Sequence, residues 1–146
     1  TTTTAPERPA STTTTAYDPA AVEGQIEAAY LESWDVYADA VYNLELDEAA
    51  LSKVYAGPLL GVLRDELLKR IDEGRAAHVL VEHDYTIQLT GSDTSVVIDR
   101  YRNHQVLIDP VTKKPTEPDP NTLIVDALTL RLVAGRWLVN DQRRIE

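Results

Sequence analysis

The segment "TLIVDALTLRL", residues 122–132, gives the clearest indication of the fold of this chain. Apolar and polar residues alternate along it, which is the period of a β-strand with one buried face. The apolar members of one face are Ile124, Leu128, Leu130 and Leu132. Asp126 stands in the same row, among apolar side chains. Its carboxylate is therefore predicted to face either a pocket at the edge of the core or a polar partner inside the protein.

Three further segments share this period of two. They are "AHVLVEHDYTIQL" at 77–89, "TSVVIDRYRN" at 94–103 and "RWLVNDQRRIE" at 136–146. Short turns and the proline-rich loop 109–121 separate the four strands, so hairpins and an antiparallel sheet are predicted. Val97, Asp99 and Tyr101 share one face of the second strand, but the alternation there leaves open which face points inward.

The first half of the chain has the period of α-helices. Asp18 before Pro19 is typical of a helix start, and apolar side chains then recur every three or four residues. Gly57 and Gly74 are predicted to follow the ends of two further helices. The predicted helices are 19–43, 47–55 and 58–73. Helices followed by hairpin strands predict an α+β fold, in which N-terminal helices pack on an antiparallel sheet of four or more strands.

The N-terminal residues 1–16 read TTTTAPERPASTTTTA and contain eight threonines. A segment of this composition buries too little apolar surface to fold, so we expect a disordered linker here and a folded domain over 17–146. Thr/Pro-rich linkers of this kind resemble those that follow the signal sequence or lipid anchor of bacterial envelope proteins. The resemblance implies an extracytoplasmic domain, secreted or tethered through an anchor that this chain lacks. A tag or cloning remnant is the alternative.

The net charge of −10 is unevenly distributed. Between Pro9 and Ser52 there are nine acidic residues and no Lys or Arg, whereas 53–146 holds fourteen acidic and thirteen basic residues. Phosphate contacts need Lys and Arg, so neither nucleic acid nor anionic lipid is an expected partner. The acidic first helix favours a basic protein partner. Absence of cysteine excludes disulfides, thiolate metal sites and a cysteine nucleophile.

Several residues together resemble the NTF2-like superfamily, which includes SnoaL-type and ketosteroid-isomerase-type proteins. They are Tyr30, Trp34 and Tyr37 on the long first helix, "YAG" at 55–57, and "GRWLVNDQ" at 135–142. The resemblance covers residues 17–146 and implies a cone, in which a curved sheet opens towards the first helix. A Thr-rich leader before such a domain is similar to secreted or membrane-tethered actinobacterial proteins of unassigned function.

The inward rows of the predicted strands would place a group of polar and aromatic side chains in one pocket. The predicted pocket residues are Tyr30, Trp34, Tyr37, His83, Tyr85, Tyr101, Asp126, Trp137 and Asp141. A carboxylate in an apolar pocket has a raised pKa, which suits a general acid or base. The catalytic candidates are therefore Asp126, Asp99 and His83. The structural alternative is that Asp126 pairs with Arg131, Arg143 or Arg144, or accepts a tyrosine hydroxyl.

No cofactor and no metal is predicted. The sequence contains neither G-x-G-x-x-G nor G-x-S-x-G, and its three histidines lack the spacing of metal ligands. The proline-rich loop contains three carboxylates of the kind that coordinate calcium, Asp109, Glu117 and Asp119, but they lack the spacing of an EF-hand.

Three functions fit these features. The leading hypothesis is a non-catalytic domain that binds a small apolar ligand or a protein partner and forms a homodimer through the outer face of the sheet. The second is an isomerase-type enzyme, with Asp126 or Asp99 as proton acceptor and Tyr30 or Tyr101 as donor to the developing oxyanion. The third is a structural spacer module of a cell-envelope assembly.

Overall fold

The structure, a computed structural model, describes residues 18–146. The linker predicted for 1–16 and the first residue of the predicted domain lie outside these residues. The fold is α+β, as the sequence predicts: three helices pack against one face of an antiparallel sheet. Among residues 18–146, none of the helices combines the length and the hydropathy of a transmembrane segment.

The helices begin within one residue of their predicted starts, and Gly57, which was predicted to follow the second helix, is the first residue of the third. The three helices are α1 Pro19–Asn43, α2 Glu48–Ser52 and α3 Gly57–Glu73. The carboxylate of Asp18 accepts a hydrogen bond from the amide of Ala20, and the carboxylate of Asp47 accepts one from Ala50, so both act as N-caps. Gly74 ends α3 in the left-handed conformation that glycine favours.

The second helix is shorter than predicted. It ends at Ser52 and not at Tyr55. The backbone beyond it pairs with the last strand, because the amide of Val139 donates to the carbonyl of Val54 and the amide of Ala56 donates to the carbonyl of Val139. This pairing covers the sheet edge there, so the chain leaves the helix early.

Seven strands form two antiparallel sheets. They are β1 Ala77–His78, β2 Val81–Glu82, β3 Tyr85–Leu89, β4 Thr94–Asn103, β5 Val106–Leu107, β6 Thr122–Val133 and β7 Arg136–Arg144. In the larger sheet β2 and β3 both pair with β4, and β6 and β7 follow; β1 pairs with β5 in a smaller sheet. The predicted hairpin at Ala134–Gly135 joins β6 to β7, with positive φ angles of 49° and 80°.

The prediction of one continuous strand over 77–89 is wrong, because the structure divides this segment into β1, β2 and β3. The register against β4 and β5 does not shift across the breaks. The last break has a visible cause: the amide of Asp84 donates to the carboxylate of Asp99, 3.0 Å away, where a ladder bond would otherwise form. A buried side chain thus replaces a backbone acceptor.

The inner face of the sheet is now defined. Val97, Asp99 and Tyr101 point inward on β4, which decides the facing that the sequence left open. The fully buried core against the helices consists of Ile26, Tyr30, Val41, Leu67, Ala77, Val97, Leu130 and Val139.

A β-bulge reverses the facing of the last half of β7. Val139 lies opposite Leu130 and Asp141 lies opposite Thr129, so Asn140 is the extra residue. Before the bulge Trp137 and Val139 point inward. After it the inward positions fall to Gln142 and Arg144, opposite Leu128 and Asp126.

Candidate functional site

One cavity of about 240 Å³ lies between α1, α3 and the inner face of the sheet. We call it the aromatic pocket. Its walls are Ser33, Trp34, Tyr37, Tyr55, Leu63, Glu66, Tyr101, Asn103, Gln105, Ile124, Leu128, Gln142 and Arg144. Trp34 packs edge-on against Tyr37 and Tyr101, with ring centroids 6.4 and 5.3 Å apart. Aromatic rings and aliphatic side chains therefore form most of the wall, with polar groups grouped around them.

Asp126 lies behind this wall and has no exposed surface. Its carboxylate accepts three hydrogen bonds, from Tyr101 Oη at 2.7 Å, Gln142 Nε2 at 2.8 Å and Arg144 Nε at 2.7 Å. Burial, followed by the hydrogen bond to Asp126, raises the pKa of Tyr101 above its usual range. The same carboxylate raises the pKa of Arg144. The alternative that Asp126 pairs with Arg144 and a tyrosine is confirmed.

Asp99 is equally buried and has its own three donors. Tyr30 Oη lies 2.7 Å from its carboxylate, His83 Nδ1 lies at 2.6 Å, and the amide of Asp84 lies at 3.0 Å. Burial acts to raise the pKa of Asp99, but the bonds from His83, Tyr30 and Asp84 outweigh it and hold that pKa below its usual value. Asp99 therefore stays ionised, and Tyr30 stays protonated because burial and Asp99 raise its pKa.

Glu66 on α3 marks the opposite side of the pocket. Its carboxylate accepts a hydrogen bond from Tyr37 Oη at 2.8 Å and from Arg70 Nε at 3.1 Å. Burial, with the negative charge of Glu66, raises the pKa of Tyr37 to about 12. Tyr55 donates to the carbonyl of Ser33 at 2.6 Å. The hydroxyl groups of the pocket are thus fixed by internal acceptors.

Eight of the nine pocket residues predicted from the sequence divide into three groups. Trp34, Tyr37 and Tyr101 line the aromatic pocket. Tyr30, Tyr85, Asp126 and Trp137 lie outside its walls, with Tyr30, Asp126 and Trp137 buried in the core. His83 faces a separate shallow groove beside Trp34 and Leu80.

The prediction that Asp141 points inward is wrong. Asp141 is exposed on the outer face of the sheet, opposite Thr129. The bulge at Asn140 moves every later side chain of β7 to the other face, so strict alternation from Trp137 fails.

Sequence reasoning missed most of the polar wall. The bulge at Asn140 brings Gln142 and Arg144 to the inner face, and no pattern in the sequence predicts this bulge. Leu63 and Glu66 lie three residues apart on α3, so helical periodicity could have placed them on one face. Asn103 and Gln105 follow the end of β4, where alternation no longer guides the assignment.

The acidic groups of the proline-rich loop 109–121 hold backbone in place. Asp109 accepts hydrogen bonds from the amides of Val111 and Thr112, and Glu117 accepts one from Leu107. Across residues 18–146, no group of three or more acidic or histidine side chains is arranged to hold a metal ion.

Comparison of the fold with solved structures gives two informative likenesses. The intermembrane space region of the chloroplast protein ARC6 superposes with a TM-score of 0.66 at 12% identity, over 88% of this chain and 96% of that one. An NTF2-like protein from Cytophaga hutchinsonii superposes with a TM-score of 0.53 at 17% identity, over 88% and 98%. The chain has the NTF2-like fold. At these identities the likeness concerns the fold alone. No family model and no curated protein matches the sequence.

Proposed function

We propose that this NTF2-like domain is a non-catalytic binding module that holds a small, largely apolar ligand in the aromatic pocket. The observation that carries the proposal is the contrast between the pocket wall and the buried acids. The wall offers open aromatic and aliphatic surface, whereas Asp126 and Asp99 are each closed off by three donors. A ligand can therefore contact the rings without reaching either carboxylate.

The isomerase-type alternative needs a carboxylate that can approach a substrate proton within hydrogen-bond distance. Neither Asp126 nor Asp99 lines the aromatic pocket, and neither has exposed surface. A general base that works near neutral pH needs a raised pKa, whereas the pKa of Asp99 is lowered. Asp99 is therefore also too weak a base for this role. The spacer alternative gives no role to an open pocket. Both alternatives are thus less well supported than binding.

The size of the pocket limits the ligand. A volume of about 240 Å³ falls just below the roughly 300 Å³ at which pockets for drug-sized molecules begin. A ligand of one or two rings, or a short branched chain, fits this space. Its apolar part would pack against the rings of Trp34 and Tyr101, which line the pocket and contact each other edge-on.

Binding can be tested with the two tryptophans of the chain as internal reporters. Trp34 lines the pocket, whereas Trp137 lies in the core outside it. Titration with 2-naphthamide should move the indole N–H signal of Trp34 in a ¹H–¹⁵N spectrum and leave that of Trp137 in place. A Trp34→Phe variant assigns the two signals.

A matched pair of variants provides the control. Ile124→Phe adds volume inside the pocket and should abolish the shift, while Leu123→Phe adds the same volume on the outer face, where Leu123 is 44% exposed. Equal binding by both variants, or shifts of both tryptophans, would contradict the proposal.

An extracytoplasmic location is part of the proposal, and its support is the Thr/Pro-rich composition of residues 1–16. Protease added to intact source cells should degrade the domain if it lies outside the cytoplasmic membrane. Protection in intact cells but not in lysed cells would overturn this part.

A basic protein partner is the second candidate, supported by the charge of α1. Its exposed acidic residues are Glu23, Glu27, Glu32, Asp35 and Asp39. None of these five forms an ion pair with any residue of 18–146. An oligolysine peptide should bind with an affinity that falls with salt and falls again in a variant that carries Asp35→Asn and Asp39→Asn. Loss of binding on adding 2-naphthamide would instead place the peptide in the pocket.

A further inference from the structure

The polar groups around the aromatic pocket are unequal in kind. The carboxylate of Glu66 already accepts hydrogen bonds from Tyr37 and Arg70. The donors on the sheet side are less occupied. Asn103 uses its carbonyl oxygen to accept from the amide of Gln105, which leaves its NH₂ group available. Free donors therefore stand on the sheet side of the pocket, opposite the carboxylate of Glu66.

Arg144 is the charged member of these donors. Its Nε atom is fixed on Asp126 at 2.7 Å, and its terminal nitrogens make no hydrogen bond with any residue in 18–146. The side chain lines the pocket and is 60% exposed, while Asp126 behind it has no exposed surface. One side of the guanidinium is thus anchored, and the other remains open for a planar acceptor.

We propose that the ligand of the aromatic pocket carries a carboxylate, which Arg144 binds through its terminal nitrogens while the apolar body stacks on Trp34 and Tyr101. This inference rests on the proposed binding function and assigns the chemical class of its ligand. Asp126 fixes the orientation of Arg144, so the guanidinium is held ready and little side-chain freedom is lost on binding.

The negative charge of Asp126 opposes an incoming anion, but geometry limits the effect. The three donors around Asp126 surround its carboxylate, and the guanidinium stands between it and the pocket. An incoming carboxylate meets the positive group first and remains farther from the negative one. Because one side of Arg144 is exposed, the attraction should weaken as salt is added.

The test compares 2-naphthoate, 2-naphthamide and 2-naphthylmethylamine on the unaltered protein at neutral pH, by calorimetry or by the Trp34 indole signal. These probes share one apolar body and differ in charge. The carboxylate should bind about tenfold more tightly than the amide, because a charge-assisted hydrogen bond exceeds a neutral one by about that factor, and the amine should bind most weakly.

The outcomes separate this inference from the proposed function. If the amide binds as tightly as the carboxylate, the carboxylate preference is wrong and the binding function stands. If none of the three probes binds, both are wrong. A preference for the amine would overturn the inference and assign Glu66 as the group that selects the ligand.

A pair of neighbouring arginines identifies the responsible group. Arg144→Gln should reduce carboxylate affinity about tenfold and the affinity for the amide far less, and Arg144→Lys should restore part of the loss. Arg143→Gln, on the opposite face of the same strand, should change neither. If Arg144→Gln does not fold, the ratio of carboxylate to amide affinity in the unaltered protein, and its fall with salt, still decide the question.

Discussion

Asp99 and Asp126 lie directly opposite each other on β4 and β6, and neither carboxylate is exposed to solvent. Like charges at opposed positions on one face of a sheet repel each other, and buried charges lose their hydration. Each carboxylate has its own three donors, and the two sets share no residue. Tyr30, His83 and the backbone of Asp84 hold Asp99, while Tyr101, Gln142 and Arg144 hold Asp126.

The stability of the fold should depend on Asp126. An Asp126→Asn substitution turns one acceptor oxygen into a donor, so either Arg144, which donates to Oδ1, or both Tyr101 and Gln142, which donate to Oδ2, lose their acceptor. We expect the free energy of unfolding to fall by about 2 kcal/mol, measured by urea denaturation. Asp141→Asn is the control on the same sheet, and it should stay within about 0.5 kcal/mol of the unaltered protein because Asp141 is exposed. Equal effects of the two substitutions would contradict the role of Asp126.

Asp99 should make stability depend on pH in the acid range. Its pKa in the folded protein lies below the value of 3.8 for a free aspartate, because the bonds from His83, Tyr30 and Asp84 outweigh burial. The unfolded chain therefore takes up the proton first as the pH falls. The stabilisation is complete above about pH 4 and is lost as the pH falls through the folded pKa.

The measurement is urea denaturation of the unaltered protein and of Asp99→Asn over the range from neutral to acid pH. The variant should be less stable at neutral pH, and the difference between the two proteins should shrink below about pH 4. A difference that stays constant down to the lowest pH would show that Asp99 does not contribute through its charge.

Substitution of alanine for glycine should have opposite effects on stability at two positions. Gly57 has a φ of 58°, and a β-carbon there would collide with the side-chain amide of Asn140, the bulged residue of β7. Gly57→Ala should therefore lower the free energy of unfolding by more than about 1 kcal/mol. Gly24 lies within α1 with open space around it, so Gly24→Ala should raise stability by about 0.5–1 kcal/mol. Thermal unfolding of both variants provides the comparison, and stabilisation by both would contradict the predicted collision.

The outer face of the sheet should support a homodimer. Ile98 on β4 lies opposite Ala127 on β6, with Val96 and Val125 next to them on the same face, and the helices pack on the opposite face. We expect a dimer in sedimentation equilibrium at micromolar concentration, since burial of such an apolar patch favours association. Ile98→Glu should shift it to monomer, whereas Val111→Glu, on a loop where Val111 is 87% exposed, should not. A monomer at every concentration would contradict this prediction.

Much of the fold follows from local chemistry that the sequence displays. The caps at Asp18 and Asp47 and the turn at Ala134–Gly135 depend only on near neighbours in the chain, so they are readable without the fold. The burial of Asp126 follows from alternation along β6, because a period of two assigns each side chain to a face. Its arginine partner was predicted only as one of three candidates.

The tertiary structure decided the rest. The extra residue at Asn140 turns Asp141 to the outer face of the sheet and turns Gln142 and Arg144 to the inner face. The hydrogen bond from the amide of Asp84 to the carboxylate of Asp99 interrupts a strand that the sequence predicts as continuous. The pocket also takes its wall from α1, α3 and three strands, whose side chains meet only after packing. Local periodicity in the sequence was enough to predict the order of helices and strands and the buried face of β6, because each depends on near neighbours in the chain. Packing alone decided which polar groups meet in the pocket, because bulges and buried hydrogen bonds depend on residues far apart in the chain.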